Sequence, residues 1–125
     1  MFNFHLFTRA TYKALFLAIL TICGIWSAHT ATAEGKGRIV KCKLVIDAEE
    51  YINAPCKFDP RGNDGSFNIM ARNGMYFAAV RIETPGRALG YWNEEPYAGH
   101  AHTNLGELKQ DGACWVNDRA SVCAW

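Results

Sequence analysis

Long apolar runs are missing from this chain. Its most hydrophobic stretch, Ala14 to Trp26, has 13 residues, short of the ~20 that a helix needs to cross a bilayer. A helical stripe is missing too: no window of ~12 residues repeats its apolar positions every 3.6 residues. Basic excess is absent, with 13 Lys and Arg against 12 Asp and Glu, which excludes the phosphate-binding patch of a nucleic-acid partner. No Cys-x-x-Cys pair marks a zinc site, and no Gly-x-Ser-x-Gly elbow offers a nucleophile. Histidine is scarce, at 4 residues. Catalysis therefore has few places to reside, and the chain reads as a non-enzyme without a cofactor.

What is present begins with an export pattern. Arg9 and Lys13 precede the short apolar run, and small residues ending Ala31-Thr32-Ala33 follow it. A positive start, a short apolar middle and an A-x-A exit describe a secretory signal over residues 1–33. Leu20-Thr21-Ile22-Cys23 faintly resembles a lipoprotein box, but Ile22 is bulky where such boxes take Gly or Ala, and the apolar run continues past Cys23. Release into the periplasm as a soluble protein, with no remaining membrane span, is the expectation.

Cleavage after Ala33 leaves one domain, residues 34–125. Both early bases depart and every acidic residue stays, so eleven basic groups face twelve acidic ones. A domain this short buries a modest share of its unfolded surface and needs staples. Cys42, Cys56, Cys114 and Cys123 remain after cleavage and allow three pairings. The oxidising compartment favours disulfides over zinc. Local pairs, Cys42 with Cys56 and Cys114 with Cys123, are preferred, each able to staple its own hairpin.

Periodicity in the mature part is that of strands. Arg38 to Ile46 alternates, Asp47 to Glu50 turns, and Tyr51-Ile52-Asn53 is a short extended piece. Ala54-Pro55-Cys56 ends this first unit, and Phe58 to Gly65 is dense in turn formers, predicting a loop. Ser66–Ala71 and Met75–Ile82 flank Arg72-Asn73-Gly74, and Asn-Gly suits a type I′ hairpin turn. Thr84-Pro85-Gly86 is a further turn, before a strand from Ala88 to Trp92. Leu105 to Leu108 is ambiguous, and short strands are expected at Ala113–Val116 and Ser121–Trp125, joined by Asn117-Asp118-Arg119. The fold class is all-β: a small antiparallel barrel or sandwich with two disulfides.

Asn93 to Asn104 is the longest stretch without periodicity, and long loops in compact domains are often functional. It carries Glu94, Glu95, Tyr97, His100 and His102. His100 and His102 on a strand would share a face, with Glu94 or Glu95 as a third ligand, but two histidines are weak support and no metal is expected. Glu94-Glu95 and Glu49-Glu50 supply carboxylates for a glycosidase pair, yet adjacent positions of an extended chain point apart. Aromatics are the stronger signal, because Tyr, Trp and Arg dominate interface hot spots. Tyr91, Trp92 and Tyr97 border the loop; Tyr97, beside Pro96, is the candidate for exposure and Trp115, beside Cys114, for the core.

Several segments carry a family resemblance. They are Gly112-Ala113-Cys114-Trp115-Val116-Asn117-Asp118-Arg119, Val122-Cys123-Ala124-Trp125, Tyr51-Ile52-Asn53-Ala54-Pro55-Cys56, Asp64-Gly65-Ser66-Phe67, Trp92-Asn93 and His100-Ala101-His102-Thr103. Together they resemble the small periplasmic peptidoglycan-hydrolase inhibitors of alphaproteobacteria, of the Brucella type. The resemblance spans most of the mature chain and implies a protein partner: lysozyme or an endogenous lytic enzyme. Arg87, His100 or His102 would then approach the carboxylates of a glycan cleft, and Tyr91 and Tyr97 would occupy its sugar subsites. The alternative is a peptidoglycan-binding or structural envelope protein without inhibitory action.

Overall fold

The structure is a computed structural model that describes residues 37–125; the expected signal and Cys23 lie outside the described residues. Eight strands follow one another: β1 (Arg38–Ile46), β2 (Glu49–Arg61), β3 (Ser66–Ala71), β4 (Phe77–Thr84), β5 (Arg87–Trp92), β6 (Thr103–Asp111), β7 (Cys114–Val116) and β8 (Ala120–Ala124). Each pairs antiparallel with the next, and β8 returns to β1, giving a closed barrel. Of the two architectures open to the sequence, the barrel is the one formed. Among the described residues there is no helix.

Alternation places one face of every strand inside. Cys42, Leu44 and Ile46 of β1 meet Ile52 and Cys56 of β2, Phe67 and Ile69 of β3, Ala78 and Val80 of β4, and Ala88 and Trp92 of β5. Leu105, Leu108, Trp115, Ala120 and Val122 complete this core. An eight-stranded barrel is just wide enough for side chains to fill, and this one is filled to its centre. Gly90 shows how tightly: a Cβ there would lie 2.6 Å from Leu108 Cδ1, and Leu108 is fully buried.

Both local disulfides form. Cys42–Cys56 joins β1 to β2, both residues fully buried among the inward side chains. Cys114–Cys123 joins directly opposed residues of β7 and β8. Trp115 and Val122, the adjacent residues on those strands, point inward, so this second bridge lies on the outer face.

Three local readings are corrected. The expected break after Cys56 and loop from Phe58 do not occur: β2 continues to Arg61, and the turn is confined to the following residues. Two prolines lie within this strand because neither interrupts a ladder. Lys41, opposite Pro55, turns its carbonyl to the Trp125 N–H (2.9 Å) and thus away from β2. Pro60 lies beyond Arg38↔Phe58, where β1 pairing ends. Second, the Asn73-Gly74 hairpin is not a type I′ turn, since Gly74 but not Asn73 has positive φ. Gly74 N–H bonds Ala71 O (2.8 Å), the Asn73 side chain accepts from Met75 N–H (2.9 Å), and β4 begins at Phe77. The longer connection keeps Phe67 opposite Val80 and Ile69 opposite Ala78, all buried.

Third, Leu105 to Leu108 belongs to β6 and contains a bulge. Gly90 pairs with Gly106 and Tyr91 with Asn104, leaving Leu105 as the extra residue. Gly106 accommodates the bend at φ 89°. The bulge turns both Leu105 and Leu108 inward despite their helix-like spacing, which is why strict alternation fails here. Asn117 secures it, donating through Nδ2 to Leu105 O (2.8 Å) and Glu107 O (3.1 Å).

Because the inside of the bulged region has no room, Gly90→Ala should destabilise the barrel by about 1–3 kcal/mol, the usual range for overpacking. Urea unfolding of Gly90→Ala, Leu108→Ala and the double variant checks the cause. A combined loss smaller than the sum of the two identifies the clash with Leu108.

Candidate binding loop

The connection between β5 and β6 runs from Asn93 to His102, close to the sequence expectation of Asn93 to Asn104. Its anchor is Asn93, a fully buried polar residue. The Asn93 Oδ1 accepts from Phe77 N–H (3.0 Å), and its Nδ2 lies within hydrogen-bond distance of Met75 O (3.0 Å), Glu95 O (3.1 Å) and Ala98 O (3.3 Å). One side chain thus links the start of β4, the β3–β4 turn and the loop itself. Tyr97 N–H adds a bond to Met75 O (2.8 Å), Glu95 N–H bonds Asn93 O, and Thr103 Oγ1 donates to Glu94 (2.7 Å).

This network holds two side chains in left-handed backbone conformations: Glu94 at φ 54° and Tyr97 at φ 66°. Such a conformation costs a non-glycine residue about 1–3 kcal/mol and persists only where the surroundings over-determine it. Tyr97 is nevertheless 64% exposed. The loop therefore presents a large aromatic outward from a pinned backbone. Beneath it, Trp92 packs on Tyr51 (ring centroids 4.6 Å apart), and Tyr51 meets Tyr76 edge-on (5.0 Å), giving the loop a rigid base.

The other residues singled out from the sequence divide into two places. His100 and His102 are exposed on the same loop, ahead of β6, so they share no strand face. His102 Nδ1 lies 3.0 Å from His100 O. Among the described residues no three His, Cys, Asp or Glu side chains gather as metal ligands. Tyr91 is half-buried on the outer face of β5. Arg87 stands at the opposite end of the barrel, at the start of β5, and is paired with Glu107 (2.8 Å). The structure brings Tyr97, His100 and His102 together and leaves Arg87 apart. The exposure of Tyr97 and the burial of Trp115 follow the sequence expectation.

Sequence reasoning missed the anchors. Asn93 stood only inside the Trp92-Asn93 resemblance; a polar residue directly after a strand's inward Trp was the available signal. Asp47 and Arg119, at the same end of the barrel, were read as turn residues. They form a bidentate pair, Arg119 Nε and Nη2 each 3.0 Å from an Asp47 carboxylate oxygen. The hydrogen bonds and charge of Arg119 hold the Asp47 carboxyl below its usual range. Asp47 N–H also bonds Arg119 O (2.8 Å), so two turns move as one.

No family model, curated protein or solved structure matches the chain.

Two outcomes test these anchors. Asn93→Ala removes partners from several backbone groups at once and should cost about 2–4 kcal/mol, since each unsatisfied buried group costs about 1–3 kcal/mol. Hydrogen exchange should show the Tyr97 amide losing protection while β1 and β8 keep theirs. For Asp47, a lowered folded-state pKa means a contribution that is complete at neutral pH and lost as pH falls through the folded value. The urea-midpoint gap between wild type and Asp47→Asn should therefore be largest near neutrality and close in acid.

Proposed function

We propose that the protein is an exported, periplasmic inhibitor of peptidoglycan hydrolases that engages its enzyme through the loop from Asn93 to His102. The observation that carries this reading is Tyr97, held out from the barrel on a backbone pinned by Asn93. An inhibitor gains affinity when its binding segment is ordered beforehand, because less conformational entropy is lost on docking. A rigid aromatic is also the side chain most often central to a protein interface. The loop's exposed imidazoles, His100 and His102, lie within a few residues of Tyr97 and supply polar contacts for a carboxylate-lined cleft.

Further support comes from the resemblance to hydrolase inhibitors and from the two disulfides, which fit an oxidising compartment. No helix among the described residues is long and apolar enough to cross a membrane. The role proposed for Arg87 narrows: its ion pair with Glu107 and its place at the far end separate it from the loop.

A turbidity assay on cell-wall suspensions tests the reading. Purified protein should slow lysozyme or an endogenous lytic enzyme in a saturable way. Tyr97→Ala should weaken inhibition by about 30-fold, the equivalent of a 2 kcal/mol hot spot, while Arg87→Ala inhibits as wild type does. Full lytic rates at saturating protein for both enzyme classes would rule the proposal out, and binding to insoluble cell wall alone would favour the glycan-binding alternative.

A further inference from the structure

Among the described residues, the barrel's other end carries no long connection. There the turns after β2, β4 and β6 are short, built around Gly62–Gly65, Pro85-Gly86 and Gly112-Ala113. Phe58, Ile82 and Ala124 point inward yet remain half-buried, and the Arg38 guanidinium lies over the Phe58 ring, 4.7 Å from its centroid. With Phe67 and Trp115 they wall a cavity of about 410 Å³. That volume lies in the range of small-ligand sites, and barrel mouths are a common place for them.

The cavity's depth limits what can enter. Behind it Leu44, Leu108 and Val122 are fully buried, and no side chain beyond glycine fits at Gly90 without displacing Leu108. A long acyl chain has no channel to follow. A compact body does fit, since an apolar cavity of ~150 Å³ already holds benzene. Phe58 and Phe67, stacked at 5.0 Å, offer a preformed aromatic wall.

Among the described residues that line it, Asp64 is the one ionisable side chain and Gln110 adds an amide, while at the rim Arg38 stands over Phe58 and the positive charge of Arg81 is felt at Asp64. The Ser66 N–H bonds Asp64 Oδ1 at 2.9 Å. That bond, with a further one from the Ser66 side chain, holds the carboxyl below its usual range. The mouth thus joins an apolar, aromatic floor to a carboxylate that stays ionised at neutral pH.

We propose that this mouth is a binding site for a small organic cation: an amine carrying a compact aromatic or branched aliphatic body. The body would sit against Phe58, Phe67 and Trp115, with the ammonium directed to Asp64. The site is separate from the loop at the other end and stands independently of inhibition.

Phenethylamine and its anionic counterpart 3-phenylpropionate are the probes, titrated into the purified disulfide-bonded protein and followed by backbone-amide NMR. Phenethylamine should bind saturably, with shifts at Asp64–Phe67, Ile82 and Gly112–Trp115, and at least about 10-fold more tightly than 3-phenylpropionate. Asp64→Asn keeps the acceptor for Ser66 N–H, so the fold is retained, and it should erase that preference. Ala124→Leu fills the mouth and should weaken both probes. The proposal is overturned if phenethylamine fails to saturate below ~10 mM, a limit corresponding to under 3 kcal/mol of binding. Equal affinity for both probes, or shifts confined to the Asn93–His102 loop, would overturn it as well.

Discussion

Five residue pairs between β1 and β8, from Cys42↔Ala124 to Ile46↔Ala120, close the sheet on itself. Without this seam the barrel would be an open sheet with two unpaired edges, each a template for aggregation. Closure also fixes the interior: once the circumference is set, inward side chains must fill one shared volume. That is why Gly90 cannot carry a Cβ and why the bulge at Leu105 is needed to turn two leucines inward from one strand. The shortest ladders lie beside the seam, since β7 has 3 residues and pairs at three positions with β6 and at three with β8.

The disulfides stand on either side of that seam. Cys42–Cys56 ties β1 to β2, and Cys114–Cys123 ties β8 to β7. Neither bridge crosses the seam, so each strengthens a flanking strand pair and leaves closure itself to hydrogen bonds and packing. In the loop-entropy account each contributes ~3 kcal/mol by restricting the unfolded chain. Asp47–Arg119 performs the crossing instead, linking the β1–β2 turn to the β7–β8 turn from outside. Two covalent hairpins and one non-covalent clamp thus hold the closing strands in register.

Much of the strand order was legible from the sequence because alternation is local. Arg38–Ile46 and Ser66–Ala71 were read at their observed limits, and the cysteine pairs followed from spacing. Three things were hidden, each for a physical reason. Proline at 55 and 60 reads as a strand breaker, but whether its missing N–H matters depends on which neighbour lies alongside. Leu105 and Leu108 show a spacing of three because a bulge, not a helix, sets their direction. Asn93 looks like any loop residue until burial reveals its bonds. The residues carrying the family resemblance are largely scaffold: Trp115 fills the core, Asn117 secures the bulge and Asn93 anchors the loop. They therefore speak more directly to fold than to a partner.

Strain separates the presenting loop from ordinary turns. Asp47 and Ala48 also have positive φ, but they form a two-residue hairpin turn of type I′, which requires it at both positions. No such demand exists at Tyr97, which lies inside a long irregular connection where chain reversal could be spread over several residues. Glycine would adopt φ 66° at little steric cost, and tyrosine does not. The chain nonetheless places tyrosine there, surrounds its backbone with Asn93 and Met75 bonds, and leaves the ring in solvent. A conformation of that cost with an exposed side chain does little for the barrel's own stability, which is the physical ground for proposing the loop, rather than the core aromatics, as the surface that meets a partner.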